Sequence, residues 1–232
     1  MSEPTSDRPW PVAEKERSLT DRLEGDLPGV ALLDLACRVL ASVIAETPVP
    51  SRDEKPSPTD LRHNALWMMA VAAFRAARAA RATFGVGYED QAVGFVRLVD
   101  ELHNRAQKVR EDQSGEYARS WLEGKPIGKG AKLAGQDFWE FVSGPVHADV
   151  RGVLDWLAIS QEDGSTQVVL GPERRPDVAE PSLVYIASEV RDIASMLAAE
   201  TGHLLNTLEL DAGLKTHHAR WGAAVSESED DA

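Results

Sequence analysis

The chain has 232 residues, 43% of them hydrophobic but only 6% aromatic, with 38 acidic against 25 basic side chains and a single cysteine. One domain with loose ends is expected at this length, and the apolar share suffices for a core, which excludes disorder over the whole chain. Cys37 alone cannot form an internal disulfide or a thiolate-rich metal site, and a net charge of −13 excludes a broad duplex-binding surface, because phosphate neutralisation needs an excess of Lys and Arg.

Residues 1–28 hold seven acids, four bases and four prolines, with no apolar block after a basic start, so no signal peptide is expected. They lack a sustained apolar period and are taken as a disordered N-terminal segment. Residues 226–232, four acids and no base, are taken as an acidic disordered tail. Between these ends, residues 29–225 keep a net −6 and are expected to form a single helical-bundle domain. The longest charge-free apolar stretch, Ala65 to Phe74, has about half the roughly 20 residues a membrane span needs, so the expectation is a soluble, cytoplasmic protein with no membrane partner.

After Pro28-Gly29, the residues Val30, Leu33, Ala36, Cys37, Leu40, Val43 and Ile44 recur at three- and four-residue steps, which predicts a helix of about sixteen residues. Cys37 lies on its apolar face and is expected to be a small buried hydrophobe rather than a nucleophile. Residues 47–58 contain four prolines and form a surface connection. Thr59 or Asp60 then offers an N-cap for a long helix ending at Gly85 and Gly87, with the seam Leu66, Met69, Ala70, Ala73, Ala76, Ala77, Ala80 and Phe84. Five of those eight are alanine, which lets helix axes approach closely and predicts a place near the middle of a bundle. Arg75, Arg78 and Arg81 step by three along it. With Arg62 they make residues 61–88 net +4 with no acid, a candidate face for nucleic acid or another anion.

A third helix is predicted from Glu89 to about Asp112 on Ala92, Val96, Val99, Leu102, Ala106 and Val109, followed by a short one from Glu116 to Leu122. The Gly/Lys stretch from Gly124 to Gly130 lacks the Gly-x-x-x-x-Gly-Lys-Ser/Thr of a phosphate loop, because Gly130 follows Lys129. An aromatic helix around Phe138, Trp139, Phe141 and Val142 ends at Gly144-Pro145. Asp163-Gly164 between apolar runs predicts a small β-hairpin near 155–175. The final period, Leu183, Ile186, Val190, Ile193, Leu197, Leu204 and Leu208, is interrupted only at Glu200 and Thr201. The expected fold is therefore an all-α bundle of four main helices and two short ones, with that hairpin inserted.

No two of the six histidines stand four residues apart as metal ligands on one helix face would, and no metal or other cofactor is expected. A Gly-x-Ser-x-Gly elbow is also missing. Arg97-Leu-Val-Asp-Glu-Leu-His103 matches the arginine–histidine spacing of helical HEPN ribonucleases, although 18 arginines and six histidines yield roughly 1.4 such matches by chance. On a helix the two residues stand about 120° apart, so they converge only if a second element closes over them.

The run Tyr88-Glu89-Asp90-Gln91-Ala92, then Phe95 to Glu101, Trp121, Gly124 and Phe138 to His147, resembles a family of bacterial all-helical proteins of unknown function. That family is similar to the HEPN-like and abortive-infection helical proteins. The resemblance spans roughly residues 60–210 and implies a helical bundle, often dimeric, with some members near phage defence. Carried over by position, it nominates Arg97, Glu101, Ser143 and His147. Val142 stands where the family has leucine, and Arg97 is followed by leucine rather than the asparagine or aspartate of active nucleases. The first expectation is thus a non-catalytic interaction or regulatory protein with a protein partner, homodimeric through the Ala-rich or C-terminal helix. The alternative is a metal-independent ribonuclease acting on RNA in phage defence or a toxin–antitoxin system, with Arg97 as phosphate clamp and His103 or His147 as general acid/base.

Overall fold

A computed structural model describes residues 11–50, 55–125, 158–160, 166–168, 172 and 174–230 of the chain. The elements in order are α1 (Pro11–Asp21), α2 (Leu23–Asp26), α3 (Gly29–Glu46), α4 (Pro58–Val86), α5 (Glu89–Glu111), α6 (Glu116–Leu122), β1 (Ala158–Ser160), β2 (Thr166–Val168), α7 (Pro176–Thr201) and α8 (Leu208–Asp230). Among the described residues the fold is all-α apart from one antiparallel ladder, in which Ala158 stands opposite Val168 and Ser160 opposite Thr166. That ladder falls in the window where Asp163-Gly164 predicts a hairpin. The turn itself, the aromatic helix at 138–142 and the Gly/Lys stretch beyond Lys125 lie outside the described residues.

The sequence of α4 explains its central position. Ser57, rather than Thr59 or Asp60, is the N-cap. The Asp60 N–H donates to Ser57 Oγ at 3.2 Å and the Ser57 N–H donates to Asp60 Oδ2 at 3.0 Å, a reciprocal box with Pro58 in the first turn. Gly87, at φ 83°, ends the helix in the left-handed conformation that side chains disfavour. Ala70, Ala73, Ala77 and Ala80 are completely buried, and α3, α5 and α7 all pack on α4. The alanine seam is therefore consumed inside the chain and cannot serve as a contact between two copies.

Two expectations fail. First, the N-terminal segment up to residue 28 is not unstructured throughout, because α1 and α2 fold onto the bundle. Leu19, Leu23 and Leu27, spaced by four, are buried, and Leu23 lies so close to Gly85 that a Cβ there would stand 3.3 Å from its Cδ2. One leucine per turn among many charges is too narrow a stripe to register as a period, yet it suffices where a neighbouring helix supplies the other wall. Second, the last period is two helices. α7 stops at Gly202, φ 72°, just after the interruption at Glu200 and Thr201. Leu204 and Leu208, which continue the period on paper, are exposed. α8 then continues to Asp230, through most of the segment expected to be a disordered tail.

Glu180 fastens these pieces together. Its carboxylate accepts the N–H of Gly29 at 2.9 Å with both oxygens, at the positive end of the α3 dipole, and lies 2.6 Å from His217 Nε2 on α8. A Cβ on Gly29 would stand 3.1 Å from both Glu180 Oε2 and the Val184 side chain, so any side chain there requires these neighbours to give by a few tenths of an ångström.

Candidate functional site

The face of α5 that carries His103 is pressed against α7. His103 is 3% exposed and its Nδ1 is in direct contact with the Glu189 carboxylate, while its Nε2 lies 3.2 Å from the Gln107 amide and 3.9 Å from Asp192 Oδ2. One turn earlier, the Tyr185 hydroxyl donates to Asp100 Oδ1 at 2.6 Å, and the Asn104 side-chain N–H donates to the Asp100 carbonyl at 2.8 Å. Asp100, His103, Asn104, Ser182 and Glu189 are all buried. A single imidazole thus sits among the carboxylates of Glu189, Asp100 and, at the rim, Asp192.

Electrostatics follows from that count. Burial opposes the imidazolium, but hydrogen bonding and charge from Glu189, with Asp192 and Asp100 behind it, outweigh this and hold His103 above its ordinary value. Burial also raises Glu189 and Asp100, only partly offset by His103 for the first and by Tyr185 and His103 for the second. Burial and the same carboxylates push the Tyr185 phenol far up. Every shift runs in the direction of retaining protons. A ribonuclease centre requires the reverse, an open cationic cleft in which an imidazole gives up and regains a proton beside phosphate.

Arg97 stands away from this cluster. Its Nε lies 3.3 Å from Glu101 Oε1, four residues on, and Arg105 approaches the other Glu101 oxygen at 3.7 Å. This is the ordinary i, i+4 ion pair, worth a few tenths of a kcal/mol. The structure therefore does not bring Arg97 and His103 together. His147 and Ser143 lie outside the described residues.

The four arginines nominated for anion binding part company. Arg62 is built into the fold, with its guanidinium 3.2 Å from Glu200 on α7 and donating to the Gln113 carbonyl at 3.2 Å. Arg75 is exposed. Arg78 and Arg81 converge on Asp34 of α3, at 2.8 and 2.7 Å. Beside them, Asp34, Cys37, Arg38, Ala41, Phe74, Arg78 and Arg81 line an open cavity of about 510 Å³. Burial pushes the Cys37 thiol up to about 11, so it is a neutral wall.

Sequence reasoning missed Glu189, Tyr185, Asp34 and Arg38. Glu189 and Tyr185 sit within the apolar period of α7, and only a polar residue at a core-facing position signals them. It also passed over one Glu-x-x-His spacing, Glu200 to His203. That pair straddles the end of α7, with Glu200 engaged by Arg62. Among the described residues no group of three or more His, Cys, Asp or Glu is arranged to hold a metal ion, and no helix is long and apolar enough to cross a membrane. Compared with known proteins, the chain matches no family model, no curated protein and no solved structure.

Proposed function

We propose that the chain is a soluble, cytoplasmic bacterial helical-bundle protein that works by binding, as a non-catalytic interaction or regulatory protein. One observation carries this reading. Of the nominated catalytic groups that can be placed, His103 is sealed beneath α7 among carboxylates, and Arg97 is tied to Glu101 on another part of α5. A buried imidazole engaged on both nitrogens has no free atom to offer a 2′-hydroxyl or a leaving oxygen. Self-association belongs to the same proposal, with α8 as its route, since the α4 seam is already occupied and exposed Leu204 and Leu208 flank the start of α8.

The competing reading is the HEPN-type ribonuclease, in which His147 and Arg97 would carry the chemistry. An RNA cleavage assay decides between them. Wild type, Arg97→Ala and His147→Ala are incubated with a labelled single-stranded RNA, and no product above the buffer control is expected from any of them. Cleavage by wild type that either substitution abolishes would overturn the binding reading.

A further inference from the structure

The cavity between α3 and α4 combines features that the nominated arginine row did not foresee. α3 contributes Asp34, Cys37, Arg38 and Ala41, which recur at three and four residues and so share one face. α4 contributes Phe74, Arg78 and Arg81 by the same rule. Three guanidinium groups therefore surround one carboxylate, leaving a local charge of +2 in a protein of net charge −13. Glu24 is 3.9 Å from Arg81 but 81% exposed, where solvent screens it.

Asp34 fixes two of these groups without exhausting them. Arg78 gives it one donor, Nη1 to Oδ1 at 2.8 Å, and Arg81 gives it Nε, 2.8 Å from Oδ2. Each guanidinium has five N–H donors, so most remain available. Arg38 makes no ion pair or hydrogen bond among the described residues. Phe74, Ala41 and the neutral Cys37 thiol supply an apolar wall beneath the charged rim. About 510 Å³ is the size of a small-molecule pocket, and apolar walls with a few convergent polar groups are its usual composition.

We infer that the α3–α4 cavity binds a small organic anion whose phosphate or carboxylate head is held by Arg38 and Arg78, with Arg81 and Asp34 as the positioning pair, and whose apolar body lies against Phe74. This rests on the binding reading above and gives that reading a ligand class. Planar guanidinium pairs match both oxyanions, and the head group is left to be distinguished by experiment.

The test is isothermal titration of the full chain with phenyl phosphate, benzoate and inorganic phosphate at low salt, repeated on Arg38→Gln, Arg78→Gln and, as a control, Arg110→Gln on the exposed end of α5. Saturable binding of phenyl phosphate or benzoate is expected, the tighter of the two naming the head group, with inorganic phosphate weaker. Arg38→Gln and Arg78→Gln should each weaken it about tenfold or more, as loss of a charge-assisted hydrogen bond implies, while Arg110→Gln leaves it unchanged. Unaltered thermal melting of the variants keeps the comparison valid, and Phe74→Leu, which retains an apolar wall but no ring, should weaken the aryl ligands selectively. Absence of saturation by either aryl anion overturns the inference, as does equal affinity in wild type, Arg38→Gln and Arg78→Gln, or inorganic phosphate binding as tightly as phenyl phosphate. RNA cleavage in the assay above would instead overturn the binding reading and leave the titration result standing, so the two failures are separable.

Discussion

Replacing Glu89 by glutamine should stabilise the protein at alkaline pH and remove much of its pH dependence. Glu89 opens α5 and is 3% exposed. One carboxylate oxygen accepts the Arg175 N–H at 2.8 Å, and the other is buried with no partner. Burial pushes the carboxyl up to about 7, against the pull of the Arg175 N–H and the nearby Arg174 charge. Because the folded-state value is raised, the native chain holds this proton more tightly than the unfolded chain does. Stability is then lost as pH rises from the ordinary carboxylate value through about 7, and is flat above it. A shift from 4.5 to about 7, at 1.36 kcal/mol per pH unit, amounts to about 3 kcal/mol at pH 8.5 and less than 1 kcal/mol at pH 5. Glutamine keeps the acceptor for Arg175 and places a neutral amide where the orphaned oxygen stood. Urea unfolding followed by circular dichroism, on wild type and Glu89→Gln at both pH values, gives the difference directly. Titration of other groups is common to the two proteins and cancels. The stability advantage of the variant should widen by about 2–3 kcal/mol between pH 5 and pH 8.5. A difference that is constant with pH would refute the assignment of Glu89 as a buried, largely protonated acid.

Other outcomes follow from the same physics. His103→Leu should cost about 3–5 kcal/mol, because it leaves Glu189 and Asp100 buried without their cation, whereas His103→Leu with Glu189→Leu should recover most of that loss in a double-mutant cycle. Gly213→Leu should loosen α8, since even a Cβ there reaches the Leu32 Cδ2 and a branched side chain needs far more room than a shift of that methyl gives. Faster limited proteolysis beyond residue 202, with the α3–α7 core still protected, would check this. Leu204→Asp with Leu208→Asp should leave the melting temperature unchanged and abolish any self-association seen by analytical ultracentrifugation, because both side chains are exposed in the single chain.

Long, regular apolar periods were legible in the residues. α3, α4, α5 and α6 begin and end within a few positions of where Pro28-Gly29, Gly87 and Ser114-Gly115 place them. What was illegible depended on neighbours. The Leu19, Leu23 and Leu27 stripe has meaning only once α4 lies beside it, and the division of the last period at Gly202 was hidden because Leu204 and Leu208 keep the spacing without the burial. The candidate site followed the same rule. Helical geometry sets Arg97 about 120° from His103, but the partner that closes over His103, Glu189, lies 86 positions further along the chain. The arginine row of α4 was visible as a charge pattern. Its division into a structural Arg62, an exposed Arg75 and an Asp34-bound pair is a tertiary fact, because the acids that decide it come from α3 and α7.

His103, closed in beneath α7, is a structural residue rather than a general acid or base. Site-resolved imidazole NMR across pH 5 to 9, with exposed His218 as the internal reference, tests this most directly. For His103 the raised folded-state value predicts a midpoint above 6.5, a ring proton exchanging slowly with water, and a stabilising contribution that is complete below about 6.5 and lost as pH rises through that midpoint. A midpoint at or below 6.5 with exchange as fast as that of His218 would contradict it, and would return His103 to the list of groups able to move protons in a reaction.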